Sequence, residues 1–337
     1  MSNPFNLDTD VVYGTAVRLA PQVRRLTVRN GSPMTFTGTQ TYLVGEGEVV
    51  VIDPGPVNDR HVADVLNALD EGERVAAILL THTHIDHSPG AAALKAATGA
   101  KTYAFGPHGA GMSQMMLDLA ASGADLGGGE GADRAFQPDV TVEDGEVLRF
   151  GDVALTALYT PGHLSNHLAF AMEDGAVFTG DLIMGWATTL VSPPDGDMAA
   201  FLASLAMMRG RGDRVYYPGH GHPIEDTMGM VDHQIAQLVA QHARRDIQIT
   251  GPHQRNTERR KTCSLSHGCH TVLGNGAVAD KCQSIACQQI SRRIADRLHL
   301  HDFNRAAPQR HRCYGPVTAQ TLDQRRKIIG CPNVQIA

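Results

Sequence analysis

Three histidines and one aspartate lie within six consecutive positions of the segment LLTHTHIDHSPG, residues 79–90. They are His82, His84, Asp86 and His87. Imidazole and carboxylate groups are preferred ligands of zinc and of similar first-row ions. Because His82 and His84 are two positions apart, an extended backbone directs both side chains to the same side. The segment therefore predicts a metal site, and Asp86 with His87 can serve a second ion close by.

Three later segments repeat one arrangement, in which a β-rich run meets a glycine-marked turn and then a residue that can bind a metal. The segments are YTPGHLSNH (159–167), VFTGD (177–181) and YYPGHGHPIED (216–226). A glycine before a ligand lets the backbone approach an ion closely. The candidates in these segments are His163, His167, Asp181, His220 and His222.

The elements that must position these residues are typical of an α/β protein. Alternation and turn residues predict hairpins over 42–53, 147–160 and 168–181. Helical spacing predicts helices over 59–69, 198–208 and 230–246. VAAILL (75–80) predicts a strand buried on both faces, and a helix with Pro89 near its start and Gly99 at its end follows. The first ligand segment therefore lies at a sheet edge, where ligands collect in α/β folds.

The order H-x-H-x-D-H, Thr-Pro-Gly-His, Thr-Gly-Asp and Pro-Gly-His resembles that of the metallo-β-lactamase-fold hydrolases, over roughly residues 12–245. SPPDGDMAAFLASL (192–205) and YPGHGHPIED (217–226) are similar to the branch of β-lactamase-like proteins, in which a C-terminal winged helix usually follows. The resemblance implies an α/β fold, an αββα sandwich with a dinuclear metal site at one sheet edge and a small C-terminal appendage.

Carried over to this sequence, the resemblance implies seven metal ligands. Those of the first ion are His82, His84 and His163, those of the second are Asp86, His87 and His220, and Asp181 bridges the two. Asp86 and Asp181 are the residues expected to matter most for catalysis. The implied nucleophile is a hydroxide between two zinc ions, since paired metals lower the pKa of bound water and stabilise an oxyanion. Iron or manganese also suits His and Asp ligands.

Three further residues are expected near this site. Asp53, in VVVIDPG, is expected to hold a ligand loop or to fix a histidine tautomer rather than to bind a metal. His167 either orients a ligand or has a structural role. His222 either faces the substrate, donates a proton or has no part in the chemistry. The remaining histidines of the first 250 residues are expected at the surface, and they are His61, His108, His233 and His242.

The resemblance does not identify the substrate, because one fold supports many reactions. We expect a metal-dependent hydrolase that attacks an ester, thioester, lactone or amide bond. Asp181 stands where the main class B β-lactamases usually carry Cys, which argues against an efficient β-lactamase. Two alternatives stay open, a single-strand-specific endoribonuclease and a non-catalytic metal-binding scaffold. Residues 1–250 contain 15 Lys and Arg against 30 Asp and Glu, which favours a small-molecule substrate over RNA.

Nothing in the sequence predicts membrane insertion. It contains no apolar run of about 18 residues. The first residues lack the basic and apolar regions of a signal peptide. We therefore expect a cytoplasmic protein with no membrane partner, and a homodimer stays open.

Residue usage changes sharply near residue 250. All six cysteines follow this point, and residues 251–337 contain 14 Lys and Arg against 5 Asp and Glu. We therefore expect a catalytic domain over 1–247 and an atypical basic tail over 248–337. Four interpretations stay open: a divergent accessory domain in place of the winged helix, a zinc knuckle, a basic RNA-binding tail, and a shifted reading frame. The zinc-knuckle candidates are Cys263, His267, Cys269, His270, Cys282 and Cys287.

The shifted-frame interpretation makes a prediction about the gene. Read from about residue 247 in another frame, the gene should encode a helical segment with few cysteines. Re-translation in the other two frames measures this directly, and the interpretation is wrong if neither frame continues the helical pattern.

Overall fold

The computed structural model of the protein describes residues 3–122 and 131–249, which form two β-sheets and the helices that cover them. The strands of the first sheet, β1 to β7 in spatial order, are Val17–Ala20, Val23–Thr27, Gln40–Val44, Glu48–Ile52, Arg74–Leu79, Lys101–Ala104 and Val140–Thr141. The second sheet has the order β12-β11-β10-β9-β8, and β8 to β12 are Val147–Phe150, Val153–Tyr159, Leu168–Met172, Ala176–Gly180 and Val215–Pro218. Helices α1 to α5 are Asp59–Asn67, Gly90–Thr98, Gln114–Ala121, Met198–Arg209 and Thr227–Ile249.

Three apolar clusters define the layers of the molecule. One lies between the sheets and includes Tyr42, Leu79 and Phe170. A second joins α1 and α2 to the outer face of the first sheet. A third joins α4 and α5 to the outer face of the second sheet. The layers therefore follow the order helix, sheet, sheet, helix, and the expected αββα sandwich is confirmed.

Strand β4 shows why the central strands of the first sheet have continuous apolar runs. Its side chains alternate across the sheet, so Val50 and Ile52 lie in the cluster between the sheets while Val49 and Val51 lie in the outer cluster. Strand β5 is buried on both faces in the same way. A strand that is apolar on both faces belongs in the middle of a covered sheet, as predicted for residues 75–80.

The parallel pairing of the central strands creates the edge where the first ligand segment lies. Strand β5 pairs in parallel with both β4 and β6, so the carboxyl ends of all three meet at one edge. In the second sheet, β11 and β12 are also parallel. Each of these strands therefore delivers the residues that follow it to the end of the sandwich.

The predicted elements are present, with small shifts at their ends. The helix predicted over 59–69 ends at Asn67, and α5 continues through the domain boundary expected after residue 247 to Ile249. The interpretations of residues 250–337 lie outside the described residues, as do residues 123–130. Within the described ranges, no helix is both long enough and apolar enough to cross a membrane.

The expectation of a surface position is wrong for two histidines. The side chain of His108 is only 8% exposed, and the whole residue His61 is 3% exposed. His61 lies on the buried face of α1, where its Nε2 is 2.8 Å from Oγ1 of Thr41. That hydroxyl donates to the carbonyl oxygen of Asp53, so it accepts a hydrogen bond from the imidazole. Burial lowers the pKa of His61 to about 4, although the nearby Asp64 opposes the shift.

We predict that His61 makes stability depend on pH in weakly acidic solution. The unfolded chain binds a proton near pH 6.5 and the folded chain only near pH 4, so stability falls as pH drops through this window. The difference reaches about 3 kcal/mol at the acid end. Unfolding by urea between pH 4.5 and 6.5 should show a shallower pH dependence for His61→Gln than for the parent chain. An equal slope in the two proteins would contradict the prediction.

Candidate metal centre

The candidate site lies at the end of the sandwich that the parallel strands create. After β5 the chain passes Thr81 and then turns tightly. The turn forms because the backbone amides of His87 and Ser88 both donate to the carbonyl oxygen of His84. Gly90 then begins α2. The turn places the ligand candidates of residues 82–87 within a single short loop at the sheet edge.

Four candidate ligands form a first group, His82, His84, His163 and Asp181. Nε2 of His82 lies 2.9 Å from Nδ1 of His84, which lies 3.0 Å from Nε2 of His163. Nε2 of His163 lies 3.6 Å from Oδ2 of Asp181. Two ligand atoms that are each ~2.1 Å from a tetrahedral ion lie ~3.4 Å apart. The group therefore has the dimensions of one metal site.

Asp86, His87 and His220 form a second group. Oδ2 of Asp86 lies 3.3 Å from Nε2 of His87 and 3.2 Å from Nε2 of His220. The two imidazole nitrogens are 3.4 Å apart. The three atoms form a nearly equilateral triangle, which is one face of a coordination polyhedron. This group could therefore hold a second ion.

The carboxylate of Asp181 faces both groups. Its Oδ1 lies 3.5 Å from Nε2 of His87, in the second group. Its Oδ2 lies 3.3 Å from Nε2 of His220 and 3.6 Å from Nε2 of His163, so it stands between the two groups. The structure thus brings together all seven residues that the resemblance named as ligands, with Asp181 at the shared position.

The histidines of the first group are held neutral. Burial lowers the pKa of His84 to about 3 and lowers the pKa values of His82 and His163 as well. Neighbouring imidazoles add to the effect, because a positive charge on one disfavours a positive charge on the next. A neutral imidazole keeps a lone pair on one ring nitrogen, which is the form that binds a metal.

The second group has the opposite electrostatics. Burial alone would lower the pKa of His220, but the carboxylates of Asp181 and Asp86 outweigh it and raise this pKa to about 9. Burial alone would also lower the pKa of His87, but the carboxylates of Asp86 and Asp181 outweigh burial and raise this pKa. Burial would raise the pKa values of the two carboxyl groups, yet the imidazoles hold both well below the usual range. The group therefore favours positive charge at its centre, which a divalent cation satisfies.

Asp53 orients two ligands without belonging to either group. Its carboxylate accepts hydrogen bonds from the backbone amide of Thr81 through Oδ1 and from the hydroxyl of Thr81 through Oδ2, each at 2.7 Å. Oδ2 also accepts from Nδ1 of His87 at 2.9 Å. Because the Thr81 hydroxyl is used as a donor, its oxygen accepts from Nδ1 of His82. In the neutral form that binds a metal, both imidazoles therefore carry the proton on Nδ1 and the lone pair on Nε2.

Backbone carbonyl groups fix two more tautomers. Nδ1 of His163 lies 2.8 Å from the carbonyl oxygen of Leu190, and Nδ1 of His220 lies 3.3 Å from that of Gly38. A carbonyl oxygen only accepts, so each Nδ1 must carry the proton. In the neutral form of both rings the lone pair is again on Nε2, the atom that faces the ligand groups.

The two histidines of uncertain role lie in different surroundings. His167 is fully buried, and its Nε2 accepts from the backbone amide of Asp181 at 3.2 Å while its Nδ1 donates to Oγ1 of Thr160. It therefore positions the residue shared by the two groups. In His222, by contrast, Nε2 lies 3.0 Å from the carbonyl oxygen of Asp8. That contact engages the ring with the N-terminal segment.

Two observations show that the site fits metal ions. Oδ1 of Asp181 is buried and has no hydrogen-bond partner, which is a costly arrangement for a carboxylate unless a cation binds it. Gly219 provides the space, because a Cβ atom there would lie 2.3 Å from this Oδ1 and 2.8 Å from Cε1 of His87. The His and Asp donor set and this packing suit zinc or a similar first-row ion.

Several residues that support the site have no local signal in the sequence. Oγ1 of Thr39 donates to Oδ2 of Asp86 at 3.0 Å across 47 positions of the chain. The amide of Asn166 donates to Oγ1 of Thr83, between two ligands. These contacts join segments far apart in sequence, so only knowledge of the strand pairing could have revealed them.

A segment distant in sequence also contacts the turn that carries the ligands. The backbone amide of Ile85 donates to the carbonyl oxygen of Gly131, and that of Asp133 donates to the carbonyl oxygen of Thr83. His84 also forms an isolated β-bridge with Ala132. Residues 131–133 therefore border the turn that carries the ligands.

Comparisons with known proteins agree with this geometry. A family model described as the metallo-beta-lactamase superfamily matches residues 34–220. An atrochrysone carboxyl ACP thioesterase from Aspergillus fumigatus is 29% identical over 259 residues, which are 75% of this chain and 71% of the relative. A protein of the same name from Aspergillus terreus is 30% identical over 258 residues, which are 76% of this chain and 70% of the relative.

The solved structure of a metallo-beta-lactamase family protein from Thermus thermophilus has the same fold. Its TM-score is 0.54 at 23% identity, over 67% of this chain and 82% of that chain. The family match covers more than half of the chain and includes the positions of all seven candidate ligands. The chain therefore belongs to the metallo-beta-lactamase superfamily.

Proposed function

We propose that the protein hydrolyses acyl thioesters with the help of two divalent cations. Membership of the superfamily supports a metal-dependent hydrolase. The observation that carries the two-cation proposal is the Asp181 carboxylate, whose oxygens lie between two separate groups of ligand atoms. The relatives named ACP thioesterases support a thioester as the bond that is cleaved. An acyl group carried by an acyl carrier protein is the corresponding substrate.

Seven residues would hold the cations in this proposal. The first would bind His82, His84 and His163, the second would bind Asp86, His87 and His220, and Asp181 would bind both. Zinc is the default ion for these ligands, although iron and manganese also suit them. Bound cations supply Lewis acidity and lower the pKa of a bound water, which makes a nucleophile available near neutral pH.

The chain's own residues prepare this chemistry by fixing protons and positions. Asp53 keeps the proton of His87 on Nδ1, and the carbonyl oxygen of Leu190 does the same for His163. The hydroxyl of Thr39 holds one oxygen of Asp86. Because these contacts exist before a substrate binds, little reorganisation is needed during the reaction.

A thioester makes fewer demands on the site than an amide does. A thiolate is a good leaving group, since a thiol has a pKa of about 8.5 and can depart without a proton donor. The amine released from an amide needs a general acid. His222, the residue considered as a proton donor, has its Nε2 engaged with the carbonyl oxygen of Asp8. The arrangement therefore favours a bond whose leaving group needs no protonation.

We predict that Gly219→Ala weakens metal binding. The added Cβ would overlap Oδ1 of Asp181 and Cε1 of His87, so both side chains must move from their present positions. Misplacing ligands in this way costs roughly 10- to 100-fold in metal affinity. Competition with a chromophoric chelator, followed by elemental analysis, measures the change.

Gly210→Ala is the matched control for this substitution. Gly210 has an ordinary φ of −77°, and an added Cβ would approach the nearest backbone atom only to 3.4 Å. The parent chain and this control should each retain about two cations, as expected for a two-metal site. Equal metal affinity in Gly219→Ala and Gly210→Ala would contradict the assignment of Asp181 and His87 as ligands.

A panel of substrates tests the reaction itself. The metal-loaded protein should hydrolyse acyl thioesters in preference to a lactone, a β-lactam, a phosphodiester and single-stranded RNA. Asp181→Asn should lower kcat/KM for the thioester at least ~100-fold, because the shared ligand is lost. Asp152→Asn, a charge-matched change at an exposed turn, should leave it unchanged.

Each result of the panel has a definite meaning. Cleavage of RNA alone would replace the thioester proposal with the nuclease alternative. Two bound cations without turnover of any substrate would favour the scaffold alternative. Turnover by metal-free protein would overturn the mechanism.

A further inference from the structure

Two aromatic side chains from different loops stack beside the second ligand group. Phe36 precedes β3 and Trp186 follows β11, and their ring centroids lie 5.0 Å apart with an angle of 10° between the planes. A Cβ atom on Gly221, the residue after the ligand His220, would lie 3.2 Å from Cδ1 of Trp186 and 3.8 Å from Cδ1 of Phe36. The stacked pair is therefore in contact with the backbone next to a metal ligand.

The backbone at Phe36 is strained to hold this position. Its φ is +53°, a left-handed conformation that bulky residues rarely adopt. Among the described residues, Phe36 and Asp53 are the two non-glycine residues with positive φ, and Asp53 orients the ligand His87. Strained backbone persists where the surroundings enforce it, and it concentrates at functional sites.

Hydrogen bonds connect the Phe36 loop to the metal centre. The side-chain amide of Asn30 donates to Oγ1 of Thr39 at 2.9 Å, and that hydroxyl donates to Asp86. The carbonyl oxygen of Gly38 accepts from Nδ1 of His220. Hydrogen bonds to Asp86 and His220 of the second ligand group thus hold the loop that presents Phe36.

Trp186 is held by packing rather than by a hydrogen bond. Its Nε1 is buried and has no hydrogen-bond partner, while the residue as a whole is half-buried. The indole is therefore held by packing contacts, which include the stack with Phe36 and the approach to Gly221. An indole that stacks on one aromatic ring can also make a stacking or edge-to-face contact with a second planar group.

The loops around the ligands carry other exposed apolar side chains. Met34 is 61% exposed in the Phe36 loop, and Ile85, between the ligands His84 and Asp86, is 53% exposed. Leu190, whose carbonyl oxygen holds His163, is 57% exposed. Apolar side chains left in water around a polar centre are a common feature of ligand sites.

We propose that Phe36 and Trp186 form a wall that binds the acyl part of the substrate when it is planar and unsaturated, such as an aromatic acyl group. The identification of the bound group as an acyl group rests on the proposed thioester hydrolysis. The preference for a planar group can be measured without that reaction. Aromatic groups favour offset-stacked and edge-to-face contacts with other rings, which a saturated ring of similar size cannot make to the same extent. Planarity, rather than size or charge, is the property that the wall selects.

The chain offers a direct probe of this wall, because Trp186 is its single tryptophan. Benzoate and cyclohexanecarboxylate have the same charge and similar size, but only benzoate is planar. Each is titrated into the metal-loaded full chain while tryptophan emission is recorded. Benzoate should change the emission and bind about three- to tenfold more tightly than cyclohexanecarboxylate, as expected for one aromatic contact.

Two variants make the test specific. Phe36→Asn removes the ring but suits a positive φ, since asparagine adopts this conformation readily, so the loop should keep its backbone. This variant should lose the preference for benzoate. Phe150→Leu removes a ring from a contact with Tyr103 at the edge strand β8 and should keep the preference.

The outcomes separate this inference from the proposed function. Equal affinity for the two acids, or a preference that survives Phe36→Asn, would show that the aromatic pair only supports the loops. A preference for benzoate in a chain that hydrolyses no thioester would keep the wall and remove the proposed reaction. The wall would also be overturned as a determinant of specificity if the ratio of kcat/KM for S-benzoyl and S-cyclohexanecarbonyl N-acetylcysteamine were the same in the parent chain and in Phe36→Asn.

Discussion

The metal centre depends on one buried carboxylate, that of Asp53. Its oxygens accept hydrogen bonds from Thr81 and His87, and its own carbonyl oxygen accepts from Thr41. These contacts join the ends of β3, β4 and β5 at the edge of the first sheet. They also decide which nitrogen of His87 carries the proton. A single side chain therefore sets both the backbone position and the protonation state of the ligands, which explains why a residue with a strained φ of +52° occupies this place.

The parts of the site that could be predicted from the sequence are those encoded by local patterns. Ligands that follow an apolar strand and a glycine are visible in the sequence because strand, turn and ligand are contiguous. His163 and Asp181 could be placed in one centre only through the resemblance, since they follow different strands of the second sheet. Thr39 and the carbonyl oxygen of Gly38 were missed, because they reach the site through the pairing of distant segments.

Histidines outside the ligand motifs were harder to predict than the ligands themselves. His61 was expected at the surface because it belongs to none of the ligand motifs. The structure turns it inward, where one hydrogen bond to Thr41 satisfies it and the apolar surroundings keep it neutral. Residue type and neighbours could not reveal this, because the buried face of a nine-residue helix depends on how the helix lies against the sheet.

The ligands come from both sheets of the sandwich, and this division has a consequence for the life of the protein. Residues 82–87 follow β5 of the first sheet, whereas His163, Asp181 and His220 follow β9, β11 and β12 of the second. Cations bound to both sets would act as crosslinks across the layers. Binding energy of this kind adds to folding energy, so a chain without metal would open more readily at this end of the sandwich. Resistance to proteases, and hence the amount of protein that survives in a cell, would then follow the supply of metal.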